Sequence, residues 1–151
     1  MPPVIRKMRH SDLAALVKLR HVTFFDDGKI SREADRAGLA KLIDGDGFEA
    51  GFVAEIDGEP IGSCLFVREE IEPLHEVSPW LAGLVVAENH RGQGLGTTLI
   101  AAVERHAHAV GCREFYLYTD SAEALYIKLG WTVAERMVID GEPLVLMKRK
   151  L

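Results

Sequence analysis

The sequence predicts an α+β chain in three layers, with a mixed and mostly antiparallel sheet of about seven strands carrying about four helices. Three observations point there. Trp80 to Ala87 is an apolar run with β-branched Val85 and Val86, which fits a strand covered on both faces at the centre of a sheet. A glycine-rich turn follows, and after it Leu99, Ile100, Val103, Ala107 and Val110 recur at helical spacing with Glu104, Arg105 and His108 opposite. Two further pairs of short apolar runs flank Asp57-Gly58 and Asp140-Gly141, residues that favour tight hairpin turns.

Taken in order, Val4 to Met8 reads as a first strand. Ser11 is placed to cap a helix through about His21, with Leu13, Leu16, Val17 and Arg20 along one face. The stretch His21 to Gly28 ends in a turn signal, and a second helix is expected from Ser31 to Ile43 with Leu39, Leu42 and Ile43 inward, stopped by Asp44 to Gly47. Phe52 to Ile56 and Ile61 to Val67 should pair antiparallel around Asp57 to Pro60. Arg68 to Pro79 carries Glu69, Glu70, Glu72 and Glu76 with Pro73 and Pro79, and reads as a loop near the substrate side or as a solvated acidic connector. Gly111 stands where the long helix should end. Arg113 to Thr119 alternates Phe115, Leu117 and Thr119 against Tyr116 and Tyr118, as a strand does. Ser121 is placed to cap a short helix bearing Tyr126 and closed by Gly130, and Trp131 to Val138 with Pro143 to Lys148 form a closing hairpin.

The 151 residues suit one domain, residues 1–151, able to bury about 68–70% of its unfolded surface. Hydrophobic residues at 48% and charged residues at 27% are ordinary globular values and exclude disordered, collagenous and coiled-coil classes. The N-terminal residues lack the apolar core of a signal peptide, and no run approaches the ~20 apolar residues of a membrane span, so a cytoplasmic protein with no membrane partner is expected. Cys64 and Cys112 have no paired spacing, and the histidines are scattered, so no metal site is expected. A formal charge of -5 disfavours a nucleic-acid binder and suits a cationic substrate. A monomer or a homodimer is expected.

Gly92, Gly94 and Gly96 lie where the central strand must turn into the helix. Bare backbone there exposes N–H donors, and the helix start adds unpaired N–H groups and a partial positive charge, so the junction suits a phosphate or pyrophosphate. Arg91 adds a full charge. A P-loop is excluded because Thr97 and Thr98, with no lysine, follow Gly96. A dinucleotide fingerprint is excluded because Thr97 stands where its third glycine belongs. A glycine turn without a ligand is the remaining alternative.

Arg91-x-x-Gly94-x-Gly96 between an apolar strand and a helix resembles the acetyl-CoA motif of the GNAT superfamily of N-acetyltransferases. Ala122-x-x-Leu125-Tyr126-x-Lys128-x-Gly130-Trp131 is similar to the family's second signature, a short helix with a tyrosine closed by Gly-aromatic. The resemblance covers roughly residues 52–149. It implies that the central strand and the Arg113 strand run parallel and splay, with the pantetheine arm of acetyl-CoA in the gap. It implies further that Arg91, Gly92, Gln93, Gly94, Leu95, Gly96 and Thr97 hold the pyrophosphate. By the same resemblance, a backbone N–H near Leu84, Val85 or Val86 polarises the acetyl carbonyl, and Tyr126 assists the departing sulfur. Where many members carry asparagine, seven residues before the tyrosine, this chain has Thr119, whose hydroxyl can supply the contact to the pantetheine arm.

Acetyl transfer to an amine needs a base, since an amine of pKa ~10.4 is mostly charged at neutral pH. Glu70 and Glu76 are candidates, with Asp120 or solvent as alternatives. The reading is an acetyl-CoA-dependent N-acetyltransferase acting on a small cationic amine or a peptide amine. A non-catalytic acyl-CoA-binding regulator and an interaction module with an empty glycine turn are its rivals.

Overall fold

The computed structural model describes residues 2–151. Its strands are β1 (Val4–Lys7), β2 (Ala50–Ile56), β3 (Glu59–Val67), β4 (Trp80–Val86), β5 (Glu114–Thr119), β6 (Thr132–Ile139) and β7 (Glu142–Lys150). They form one open sheet in the order β1-β2-β3-β4-β5-β7-β6, antiparallel throughout except for the β4–β5 pair. The two Asp-Gly turns bring β2 against β3 and β6 against β7. Asp57 and Gly58 have φ of 51° and 82°, and Asp140 and Gly141 have 53° and 80°. Positive φ at both central positions gives a turn whose twist matches the strands it joins.

Helices α1 (Leu13–Phe24) and α2 (Arg32–Ile43) cover one face, where Leu13, Leu16, Val17, Leu39 and Leu42 pack on Val53 and Leu65 of the sheet. Helices α3 (Leu95–Ala109) and α4 (Glu123–Lys128) cover the other, where Leu99, Ile100, Val103 and Tyr126 pack on Ala54, Phe66, Phe115 and Met147. Neighbouring residues Val53 and Ala54 serve opposite faces, as the two-residue period of a strand requires. This is the three-layer arrangement the pattern predicts.

Helix α3 ends in a Schellman motif, with Gly111 at φ +82° while Gly111 N–H donates to His108 O at 3.1 Å and Cys112 N–H to Ala107 O at 2.9 Å. Helix α2 starts with Ser31 Oγ accepting from Ala34 N–H at 3.0 Å. The other two cap expectations are corrected. Ser11 does not cap α1: a single 3-10 turn, His10–Asp12, precedes that helix, and Asp12 instead accepts from Arg9 N–H at 2.7 Å and from Arg6 at 2.7 and 2.8 Å. A carboxylate facing an arginine outcompetes a neutral hydroxyl one residue away. The helix also runs three residues beyond His21, to Phe24. Ser121 does not cap α4 either, because Thr119 Oγ1 accepts the Ala122 N–H at 3.0 Å and the helix begins only at Glu123.

Two irregularities of β4 position the site. Ser63 pairs with Val85 and Leu65 with Ala82, so Gly83 and Leu84 together face Cys64 alone. This is a β-bulge with Gly83 at φ +63°, and it bends the strand. On the other side β4 meets β5 at one pair, Trp80 with Tyr116, where Tyr116 N–H donates to Pro79 O at 3.1 Å. Beyond that pair the parallel strands splay.

Candidate active site

The splay opens a cavity of about 520 Å³ between β4 and β5. Tyr126, Thr119, Arg20, Phe25 and Glu70 line it, with the bulge residues Gly83 and Leu84 also in its wall. A second pocket of about 330 Å³ lies at the start of α3, lined by Val85, Val86, Arg91, Gly92, Gly94 and Gly96 among others. Leu84 and its neighbours on β4 connect the two, because Leu84 lines both.

The α3 pocket follows from its backbone. Gly92 and Gly94 both sit at φ +79°, a conformation costly for any residue with a Cβ, and nothing lies within 4 Å of where either Cβ would be. The first bond of the α3 ladder runs from Thr98 N–H to Gly94 O at 3.1 Å, which leaves the Leu95, Gly96 and Thr97 amides outside the ladder. Those amides, the helix dipole and the open space make an anion cradle that fits a diphosphate. Arg91 turns its Nε back to Val86 O at 2.9 Å, which fixes the guanidinium at the pocket wall. Gln93 and Thr97 are exposed and do not line the pocket by their side chains.

Tyr126 is 5% exposed, and its ring stands edge-on to Trp131 with centroids 5.8 Å apart. No hydrogen bond contributes to the state of its hydroxyl, and the residue lines the cavity. Burial pushes the phenol well above its ordinary value, and nearby Cys64, itself pushed up to about 12 by burial, adds to that. Such a group donates a hydrogen bond and gives up its proton reluctantly. Thr119, also buried, lines the same cavity, its oxygen engaged by Ala122 N–H while its own O–H remains available to donate.

The two carboxylates singled out in the sequence part company. Glu70 lies in the cavity with Tyr126, and its Oε1 accepts from Ile71 N–H at 2.7 Å. Burial pushes its carboxyl up, against smaller opposing pulls from that N–H and from Arg20. Glu76 is exposed and lines a separate depression on the 68–79 loop with Pro73, His75 and Ser78. Asp120 lines the main cavity from the β5 end but is exposed. The acidic loop and the Phe24–Phe25 turn, distant in sequence, meet at the same cavity.

Three polar groups of this region escaped the sequence reading. Arg20 lines the cavity and is 4% exposed, paired with Asp35 of α2. A hint was present for both: Arg20 falls on the inward face of α1, and Asp35 stands four and seven residues before the inward Leu39 and Leu42. Tyr118 lines the cavity too, and its Oη accepts from Leu74 N–H at 2.9 Å and lies 2.7 Å from His75 Nδ1. With His75 Nε2 3.3 Å from Glu135, this chain ties the acidic loop down over β5. Nothing local in the sequence announces it. Among the described residues, no group of three or more histidine, cysteine or acidic side chains is placed to hold a metal ion, and no helix is long and apolar enough to cross a membrane.

Comparison with known proteins places this geometry. The model of the acetyltransferase (GNAT) family matches residues 13–131. Aminoglycoside N(6')-acetyltransferase type 1 of Stenotrophomonas maltophilia is 32% identical over 152 residues, covering 94% of both chains. Mycothiol acetyltransferase of Corynebacterium efficiens is 40% identical over 87 residues, a match that takes in 55% of this chain and 28% of that longer protein. Among solved structures, ribosomal-protein-alanine N-acetyltransferase from Brucella melitensis superposes with a TM-score of 0.79 at 21% identity, over 98% of this chain and 99% of that one. The yncA protein of Salmonella typhimurium, solved with its cofactor acetyl-CoA, superposes with a TM-score of 0.77 at 21% identity, over 100% and 95%. A family match across most of the chain, a relative matched nearly end to end and a shared fold agree: this chain belongs to the acetyltransferase (GNAT) family.

Proposed function

We propose that the chain moves the acetyl group of acetyl-CoA to the primary amine of a small cationic molecule or peptide by direct attack. One observation carries the reading. A desolvated phenol, Tyr126, and a desolvated carboxylate, Glu70, line one cavity that meets the anion cradle at Leu84. The aminoglycoside acetyltransferase matched over 94% of both chains supports the small-amine side of the reading.

Arg91, Gly92, Gly94 and the first amides of α3 hold the diphosphate, and Thr119 donates to the pantetheine arm. Glu70 accepts a proton from the substrate ammonium, directly or through water, leaving a neutral amine. Its lone pair attacks the thioester carbon, polarised by a backbone N–H among Leu84, Val85 and Val86. As the C–N bond forms and the C–S bond breaks, the sulfur takes the electron pair, Tyr126 donates a hydrogen bond to it, and the second amine proton ends on the thiol. A raised Glu70 suits this task, because a base whose own pKa stands closer to that of the amine takes the proton less steeply uphill. Glu76, on the far side of the loop, has no part in this scheme.

Incubation of the protein with acetyl-CoA and a panel of primary amines, read as free thiol released and acetylated product by mass, tests the proposal. Product formation with cationic amines is expected. Tight acetyl-CoA binding without turnover of any amine would favour a regulatory acyl-CoA-binding domain instead.

A further inference from the structure

One donor of a buried guanidinium is left without an acceptor beside the proposed amine site. Arg20 gives Nε and Nη2 to the two oxygens of Asp35 at 3.0 to 3.2 Å. The Phe24 and Phe25 rings stand 5.7 and 5.5 Å from its guanidinium carbon. Nη1 has no partner. It rests against the β4 bulge, where a Cβ on Gly83 would fall 2.6 Å from it, and Gly83 and Arg20 both line the cavity that holds Glu70. Glycine at this point leaves room for Nη1, which a side chain would displace. An orphaned buried donor costs roughly tenfold or more in the folding equilibrium, a cost a ligand oxygen would relieve.

We infer that Arg20 Nη1 reads a neutral oxygen on the amine acceptor, a hydroxyl or an amide carbonyl, so that the substrate class is a cationic primary amine bearing such an oxygen. The inference rests on the acetyl-transfer reading above. Charge decides the kind of oxygen. Asp35 already cancels the Arg20 charge through a bidentate pair, and Glu69 and Glu70 stand on the same cavity wall. A substrate carboxylate would gain one hydrogen bond and meet two carboxylates with no net positive charge to offset them. A hydroxyl or carbonyl gains the bond without the repulsion. A plain alkylamine leaves Nη1 orphaned.

The test uses four amines with one branched apolar chain: leucinamide, leucinol, leucine and 3-methylbutylamine. Comparing each amine with itself across protein variants cancels its own basicity. The Arg20→Met/Asp35→Leu double variant replaces the ion pair with apolar groups, a change that folds tolerate better than loss of one partner. In it, the kcat/KM ratio of leucinamide to 3-methylbutylamine, and that of leucinol, should fall about tenfold relative to the wild type. Asp35→Asn keeps the guanidinium and frees its charge, so leucine should rise about tenfold relative to leucinamide. Thermal unfolding reports whether each variant folds, and if the double variant does not, the leucine shift in Asp35→Asn decides alone. Unchanged ratios with acetyl transfer intact overturn the role of Arg20 and leave the transfer reading standing. Absence of transfer to every amine in the wild type overturns both.

Discussion

Tyr126→Phe separates packing from chemistry because the structure assigns the ring and the hydroxyl different work. The ring packs edge-on to Trp131 in the core shared with Leu117 and Val145, and phenylalanine keeps all of that. The hydroxyl reaches the cavity that Tyr126 lines, so its removal takes away little that holds the fold together. Stability should therefore change by less than about 1 kcal/mol. The rate should fall. A hydrogen bond to a charged group is worth ~1.5–3 kcal/mol, or about 10- to 150-fold when it exists only as charge builds on sulfur. Transfer from an ordinary phenol to a thiolate is already uphill by about 2 kcal/mol, and burial of Tyr126 makes its proton harder to remove, so stabilisation rather than full transfer sets the size. We expect a loss near 10²-fold, the lower end of the ~10²–10⁴ range for a proton donor. Single-turnover thiol release at saturating acetyl-CoA measures it, and a thioester with a better leaving thiol should recover part of the loss. Wild-type turnover with chemistry shown to be rate-limiting would remove Tyr126 from the reaction, and a stability loss of several kcal/mol would mean that its hydroxyl has a partner.

Glu70→Gln should abolish the acidic limb of the kcat/KM profile for a reactive amine. Because burial raises Glu70, the folded protein holds its proton more tightly than the unfolded chain. Stability from this group is full below the ordinary carboxylate value of 4.5 and is lost as pH rises through the folded value, so Glu70→Gln should melt higher than the wild type at neutral pH and no higher near pH 4. An unaltered pH profile would leave the proton to water. Arg91→Ala and Gly94→Val should each weaken acetyl-CoA and spare pantetheine, the first by losing a charge worth ~1.5–3 kcal/mol at the diphosphate and the second by straining a residue at φ +79°. Calorimetric titration checks both, and an arginine loss under about threefold in affinity would put the diphosphate elsewhere. Asp12→Asn should cost about 3 kcal/mol in urea unfolding, because Asp12 is 2% exposed and accepts two bonds from Arg6 and one from Arg9 N–H. A loss below about 1 kcal/mol would show that water substitutes for the carboxylate there.

The parts legible in the sequence were those fixed by neighbours along the chain. Gly92, Gly94 and the apolar run before them had to form a strand, a left-handed turn and a helix start, and they do. Asp57-Gly58 and Asp140-Gly141 likewise set their hairpins by local backbone preference. The residues that eluded the sequence depend on partners brought close only by the fold. Ser11 lost its capping role to Asp12 because Arg6 of β1 reaches the carboxylate across the helix start. The bulge at Gly83 depends on how β4 lies against β3, where Cys64 faces two residues of β4. Arg20 and Asp35 reveal themselves as a pair only once α1 and α2 lie side by side, and the separation of Glu70 from Glu76 depends on how Tyr118 and His75 fold the loop between them.

The lone Trp80–Tyr116 pair has a consequence for the mechanics of the sheet. Past it, β4 and β5 no longer pair with each other, so the sheet carries an edge in its interior. Exposed edges invite strand addition from other chains, but this one is hemmed in on both sides and admits only something slender. An extended ligand with amide groups, as the pantetheine arm of acetyl-CoA is, can bond to both lips and bridge β4 to β5. Amide exchange along Leu81–Val86 and Leu117–Thr119 should then slow on acetyl-CoA binding far more than exchange in β1 or β6, and the protein should gain about 2.7 kcal/mol of stability once ligand reaches 100 times its dissociation constant.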